Sequence, residues 1–376
     1  MNSEHVGYWR DGDEPGHRQF VVLRGRDERG FRFEAGDSLA SVTVAYETWG
    51  TLNATRSNAI LVEHALTGDS HVTGPSGPGH LTKGWWDGVV GPGLAIDTSR
   101  FYVVCPNVLG GAQGTTGPSS RDATGRHFGS RFPRITIRDQ VDVEVALADH
   151  LGITQWYAVV GGSMGGMRVL EWAVGFPSRL ASAVVLAVGA ASTADEIALS
   201  SLQIRAIRLD PRFCGGDYYD TGTGPYAGMA LARGIGHFTY RTSGEFDVRF
   251  GRMEQDGETA IDGGRYAIES YLEYQGDKLV RRFDPNSYVV LSEAMNYHDV
   301  GRGRGGIKEA LNSVTSVVTV ISIDSDRLYP PRLQEELVDL MANVRPLQTV
   351  RSSVGHDGFL LESTQIGRII EAALRG

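Results

Sequence analysis

Short apolar runs alternate with amphipathic stretches along much of this chain. The apolar runs predict strands of a sheet that is covered on both faces, and the stretches with apolar residues every three to four positions predict helices. The predicted strands are residues 20–23, 41–49, 59–62, 101–105, 156–160, 183–188, 317–323 and 347–350, and helices are predicted at 136–151, from 166, at 331–341 and at 364–374. This alternation predicts an α/β fold with a mostly parallel central sheet flanked by helices.

The alternation stops between about residues 192 and 306. Four amphipathic helices are predicted there in succession, at 194–209, 226–233, 265–283 and 287–297, with Gly- and Asp-rich joints. We therefore expect residues 192–305 to form a helical lid inserted into a core domain of residues 1–191 and 306–376. Residues 1 to about 18 show no periodicity and predict a flexible arm.

A serine lies at the turn between a predicted strand and the helix that follows it. The pattern Gly161-x-Ser163-x-Gly165 is typical of a nucleophile elbow, in which the glycines allow a tight turn and the serine hydroxyl is presented to the solvent. Because the chain contains 49 Gly, a turn with a purely structural role is the alternative.

A serine nucleophile needs a base, usually a histidine that a carboxylate holds in one tautomer. In this arrangement the expected chain order is Ser, acid, His. Of the 10 His, only His356 follows the acidic turn at residues 324–326, and it lies in the loop after the last predicted strand. Asp324 and Asp326 both fit as the acid, and either one alternatively caps the next helix.

An acyl intermediate also needs an oxyanion hole. We expect one N–H from Met164, directly after the serine, and the other from Leu66, in the loop after the strand at 59–62. A solvated connection is the alternative role of that loop, since backbone donors leave no side-chain signature.

Composition narrows the class of protein. A chain of 376 residues, 41% of them hydrophobic, can bury a large core, and none of its apolar runs is long enough for a membrane span. The polar first 30 residues do not resemble a secretory signal, so a cytoplasmic protein is expected. The formal net charge of -9 argues against nucleic-acid binding. The two cysteines, Cys105 and Cys214, are expected to stay reduced, and no metal site is predicted.

Several motifs occur together in one order along the chain. Because of this combination, the chain resembles the homoserine O-acetyltransferase family, whose members have the α/β-hydrolase fold. The motifs are HALTGDSH (64–71), NVLGG (107–111), QGTTGPSS (113–120), RFPRITIRDQV (131–141), GGSMGGM (161–167), LARGIGHFTYR (231–241), SYLEYQGDKLVRRFDPNSY (270–288), DVGRGRGG (299–306), SDRLYPP (325–331) and GHDGFL (355–360).

The resemblance implies a triad of Ser163, Asp326 and His356, because the family's acid directly precedes the xLYP turn. It also implies that Arg233 and Asp357 contact the carboxylate and the ammonium of L-homoserine. Acetyl-CoA is the implied co-substrate, no cofactor is expected to be bound permanently, and the pathway is methionine biosynthesis. Family members commonly form homodimers through the lid helices, so a homodimer is expected.

These residues suit a ping-pong acyl transfer, in which Ser163 carries the acetyl group between acetyl-CoA and the homoserine hydroxyl. Three alternatives use the same scaffold: a homoserine O-succinyltransferase or serine O-acyltransferase, a plain esterase or thioesterase, and a catalytically silent binding protein.

Overall fold

The computed structural model describes residues 7–25 and 30–375. An eight-stranded sheet forms the centre of the described chain. Its strands are β1 (Gln19–Arg24), β2 (Ser41–Trp49), β3 (Ala59–Glu63), β4 (Tyr102–Pro106), β5 (Trp156–Gly162), β6 (Leu180–Leu186), β7 (Val317–Ile323) and β8 (Gln348–Val350). Their order across the sheet is β1-β2-β4-β3-β5-β6-β7-β8, with only β1 and β2 antiparallel to their neighbours. The predicted α/β class and mostly parallel sheet are thus confirmed.

The described residues form eleven α-helices. They are α1 (Ile137–His150), α2 (Met164–Gly175), α3 (Ala194–Leu209), α4 (Tyr226–Tyr240), α5 (Ser243–Arg249), α6 (Ala267–Val280), α7 (Pro285–Asn296), α8 (Ile307–Asn312), α9 (Pro331–Leu340), α10 (Gly358–Leu361) and α11 (Ser363–Leu374). Along β3, Leu61 packs in one apolar cluster while its neighbours Ile60 and Val62 pack in the other. Successive strand residues point to opposite faces, so both faces are buried.

The helices α3 to α7 occupy the chain between β6 and β7, where the lid was predicted. The helix predicted at 226–233 continues to Tyr240, and α5 was not predicted at all. Glycines in these helices allow close packing: a Cβ on Gly228 would lie 2.5 Å from the Ala206 carbonyl oxygen of α3. Gly therefore does not mark a helix end here, although its low helix propensity suggests one.

Residues 7–18 of the predicted arm form neither a helix nor a strand, yet Tyr8 and Arg18 are buried. The two ends of this segment are packed while residues 10–17 between them are exposed, and residues 1–6 lie outside the described residues. Cys105 is buried and Cys214 is exposed, and both are free thiols. Among the described residues, we find no helix with the length and apolarity needed to cross a membrane.

Candidate active site

Ser163 lies at a strained turn between β5 and α2. Its backbone has φ 56° and ψ -127°, a region that residues with a side chain rarely adopt. The turn is held by a hydrogen bond from the Ser163 N–H to the Leu186 carbonyl (3.0 Å). A Cβ on Gly165 would lie 2.2 Å from the Glu63 carbonyl oxygen, so only glycine fits there. Strain of this kind persists where the surrounding packing enforces it, as in a nucleophile elbow.

The side chains of Ser163, His356 and Asp326 form a continuous hydrogen-bonded series. The Nε2 of His356 lies 2.9 Å from the Ser163 Oγ, and its Nδ1 lies 2.6 Å from an Asp326 oxygen. All three side chains are buried. The chain positions of these residues span almost 200 residues, and the ends of β5, β7 and β8 bring them to one edge of the sheet.

The two acidic residues after β7 have different partners. Asp326 Oδ1 accepts hydrogen bonds from the backbone N–H groups of Leu328 (2.8 Å) and Tyr329 (2.9 Å), which leaves Oδ2 directed at His356. Asp324 is exposed and accepts a bond from the Ser352 N–H instead. The geometry therefore places Asp326, and not Asp324, against the histidine.

The surroundings of His356 favour its charged form. Burial alone would lower the pKa of the imidazole, but the Asp326 carboxylate outweighs burial and raises the pKa above its usual 6.5. With Asp326 accepting at Nδ1, the neutral ring carries its proton there and offers the Nε2 lone pair to Ser163. This is the tautomer that general-base catalysis requires.

The loop after β3 is the predicted source of the second oxyanion donor. The N–H of Leu66 has no hydrogen-bond acceptor within the described chain, and Met164 is the first residue of α2, where N–H groups have no intrahelical acceptor. The preceding His64 fixes this loop: its Nε2 accepts from the Val108 N–H (3.1 Å) and its Nδ1 donates to the Ala65 carbonyl (2.8 Å). Burial lowers the pKa of His64 to about 3, so the ring is neutral in this role.

A buried charge cluster that no sequence motif indicated lies behind the same loop. Arg168 Nη2 donates to the His64 carbonyl (2.5 Å), while its Nη1 lies 2.7 Å from both Glu63 and Glu144. Trp172 donates to the second oxygen of Glu144 (3.0 Å). Motif spacing does not reveal such a cluster, because its members come from β3, α1 and α2.

Arg233 contacts an aromatic ring that lies near the histidine, and Asp357 is the next residue of the chain after the histidine. The guanidinium carbon of Arg233 is 5.6 Å from the centre of the Tyr240 ring, and that ring lies 6.0 Å from the His356 ring. Asp357 follows His356 in the chain and pairs with Arg241 (3.3 Å), a residue that sequence reasoning did not single out. The Tyr240 ring thus links the Arg233 guanidinium with the neighbourhood of His356 and Asp357.

Glu47, His71 and His80 are the group of potential metal ligands in the described residues. Both ring nitrogens of His71 face oxygens, Nδ1 the Glu47 carboxylate (3.0 Å) and Nε2 the Pro75 carbonyl (3.2 Å). His80 Nε2 accepts from the His17 N–H (3.1 Å). Hydrogen bonds thus engage both ring nitrogens of His71 and the Nε2 of His80, while the buried Nδ1 of His80 has no partner among the described residues.

The sheet order, the serine elbow and the inserted helices define an α/β hydrolase, and the α/β-hydrolase fold model matches residues 58–363. A protein of Thermobifida fusca named homoserine O-acetyltransferase is 56% identical over 370 residues, which are 98% of this chain and 97% of that protein. The chain belongs to the homoserine O-acetyltransferase family.

Solved structures agree with this assignment. The crystal structure of homoserine O-acetyltransferase from Bacillus anthracis has a TM-score of 0.87 at 27% identity, covering 96% of this chain and 97% of that one. The structure of esterase E22 has a TM-score of 0.84 at 28% identity and covers 95% of this chain and all of that one. The same scaffold therefore occurs in proteins with transferase and esterase names.

Proposed function

We propose that this protein transfers an acetyl group from acetyl-CoA to the hydroxyl of L-homoserine through an acetyl-Ser163 intermediate. The observation that carries the proposal is the placement of the His356 ring between Ser163 Oγ (2.9 Å) and Asp326 (2.6 Å). The 56% identity to a protein named homoserine O-acetyltransferase supports this donor and acceptor over succinyl-CoA or serine.

In the first half-reaction, Ser163 Oγ attacks the thioester carbonyl carbon while His356 Nε2 accepts the hydroxyl proton. The N–H groups of Leu66 and Met164 stabilise the negative charge that develops on the carbonyl oxygen. The carbon–sulfur bond then breaks, His356 returns the proton to the sulfur, and coenzyme A leaves as the thiol. Asp326 keeps the ring oriented and stabilises its charged form.

In the second half-reaction, His356 accepts the proton of the homoserine hydroxyl as that oxygen attacks the acetyl carbon. The bond to Ser163 breaks, the serine oxygen regains the proton, and O-acetylhomoserine leaves. Arg233 binds the substrate carboxylate and Asp357 its ammonium, since a zwitterion needs one partner of each sign. The bond from Arg241 to one oxygen of Asp357 holds that carboxylate in place.

Transfer requires that water stay away from the acyl-serine. Ser163 and His356 are only 6% and 4% exposed beneath the lid helices, which supports acyl transfer over hydrolysis. A plain esterase or thioesterase is the second candidate, because esterase E22 shares the scaffold. Release of free acetate that homoserine does not suppress would favour that candidate.

The proposal includes methionine biosynthesis in the cytoplasm by a homodimer. Leu231 and Phe238 on α4 are 60% and 55% exposed, and with Leu272 they line an apolar depression of about 390 Å³ on the lid. A second copy of the lid is the proposed partner of this surface. Light scattering of the wild type and of Leu231→Glu tests this, and a monomeric wild type would contradict it.

Brief exposure to acetyl-CoA, followed by intact-protein mass measurement and peptide mapping, tests the reaction. We expect one acetyl group on Ser163, which is discharged when homoserine is added. Ser163→Ala should not be labelled and should not transfer acetyl, while the exposed Ser76→Ala should behave as wild type. Transfer by Ser163→Ala near the wild-type rate would refute the mechanism. A preference of the wild type for succinyl-CoA or for serine would contradict the proposed donor or the proposed acceptor.

A further inference from the structure

Two arginines of the lid region converge on one residue of the loop after β3. Arg282, just beyond α6, donates through Nη1 to the Thr67 carbonyl (2.6 Å), and Arg233 Nη1 lies 3.4 Å from the Thr67 hydroxyl. Thr67 directly follows Leu66, the proposed oxyanion donor. Both guanidinium groups therefore meet at the residue next to the proposed oxyanion donor, although Arg233 lies on α4 and Arg282 lies in the turn after α6.

Neither guanidinium has a carboxylate partner. Within the described residues, no Asp or Glu oxygen lies within 4.0 Å of Arg233 or Arg282, whereas nearby Arg241 pairs with both Glu245 and Asp357. The Nε of Arg233 is buried and has no hydrogen-bond partner within residues 7–25 and 30–375. A buried donor without an acceptor is costly unless a ligand supplies one.

The pKa values report the same excess of positive charge. Burial, followed by the charge of Arg233, lowers the pKa of Arg282 to about 10, and only the more distant Asp69 opposes this effect. The pKa of Lys278 falls through burial and through repulsion from Arg282 and Arg233. In a chain with a net charge of -9, two adjacent unpaired guanidinium groups indicate a site for an anion.

The position of this site indicates which anion binds there. The diphosphate of coenzyme A is separated from the thioester by the whole pantetheine arm, whereas the carboxylate of homoserine is only a few bonds from its hydroxyl. An anion held beside Thr67, one residue from Leu66, therefore matches the acceptor amino acid. Its carboxylate has two oxygens, which suits two guanidinium groups.

Building on the proposed function, we propose that Arg282 is a second carboxylate-binding residue, which together with Arg233 selects acceptors that carry an α-carboxylate. Arg282 uses one N–H on the Thr67 carbonyl, and its other N–H groups remain available for the ligand. The bond to Thr67 also couples carboxylate binding to the position of the loop that carries the Leu66 N–H.

The test compares homoserine with homoserine amide, in which a neutral carboxamide replaces the carboxylate. For Arg282→Gln, we expect kcat/KM for homoserine to fall about tenfold to a hundredfold, as for other lost charge-assisted hydrogen bonds, and kcat/KM for the amide to fall much less. Arg282→Lys, which keeps the charge, should recover part of the preference. The neighbouring exposed Arg281→Gln is the matched control and should keep the wild-type preference.

Equal losses for both acceptors in Arg282→Gln would overturn the proposal, because a displaced loop or a damaged fold affects both alike. A wild type that is acetylated by acetyl-CoA but shows no preference for homoserine over its amide would overturn it as well. Failure of the proposed function is distinct: the wild type would then form no acetyl-enzyme or transfer no acetyl group to homoserine.

Discussion

Replacement of Glu63 by glutamine should change how the free energy of unfolding depends on pH. Glu63 is buried in a cluster in which two carboxyl groups share one guanidinium group. One guanidinium, that of Arg168, lies 2.7 Å from Glu63 and 2.7 Å from Glu144. Two ionised carboxylates would leave a net negative charge in the core, which is strongly unfavourable. Burial and then the proximity of Glu144 accordingly raise the pKa of Glu63 well above its usual 4.5, even though Arg168 opposes the shift.

The sign and size of the effect follow from proton linkage. Between pH 4.5 and the raised pKa, the folded protein keeps the Glu63 proton while the unfolded chain has released it. The contribution of Glu63 to the free energy of unfolding is therefore full below pH 4.5 and falls by about 1.4 kcal/mol per pH unit above it. Glutamine imitates the protonated form, so Glu63→Gln lacks this loss, and its stability relative to wild type should rise by the same slope.

Denaturant unfolding at half-unit steps from pH 5 to pH 8 measures the difference, with the exposed Glu335→Gln as the control. The control should follow the wild-type curve at every pH. Curves for Glu63→Gln and wild type that stay parallel across the range would refute the reasoning, since they would mean that Glu63 is ionised in the folded protein and that Arg168 satisfies both acids.

Three further predictions concern the elbow and the proposed triad. Asp326→Asn should lower kcat about 10⁴-fold by disturbing the tautomer of His356, whereas Asp324→Asn should have little effect; similar losses in both variants would contradict the assignment. Because the pKa of His356 is raised above 6.5 and the neutral ring is the base, wild-type kcat/KM should fall as the pH drops through that pKa, and the limb should move to lower pH in Asp326→Asn; an unmoved limb would argue against Asp326 as the cause. Gly165→Ala places a methyl 2.2 Å from the Glu63 carbonyl oxygen, so it should destabilise the fold by about 1–3 kcal/mol in thermal melts, and an unchanged melting temperature would show that the elbow has room.

Three guanidinium groups contact the loop after β3. The Thr67 carbonyl and hydroxyl face Arg282 and Arg233, while the His64 carbonyl faces Arg168, so three guanidinium groups fix one short loop from two sides. Preorganised hydrogen-bond donors stabilise an oxyanion effectively, because they need not rearrange when the negative charge develops on the carbonyl oxygen.

The sequence alone determined the features that depend on local patterns. The period of apolar residues predicted the α/β sheet, and the glycines around Ser163 predicted the elbow, because both depend on neighbours within a few positions. The expected chain order of acid and base then led to His356. These inferences needed no knowledge of how the elements pack.

Periodicity and spacing do not distinguish residues that are equivalent in pattern, and the tertiary structure gives the physical reason for the difference between them. Asp324 and Asp326 are two positions apart after the same strand; the family motif implied Asp326, and the turn at Leu328 and Tyr329 directs only Asp326 to the histidine. Likewise, Arg281 and Arg282 are adjacent and chemically identical, yet only Arg282 reaches Thr67, 215 positions away in the chain. Burial and long-range contacts arise from packing of distant segments, and a periodicity of a few residues contains no information about them.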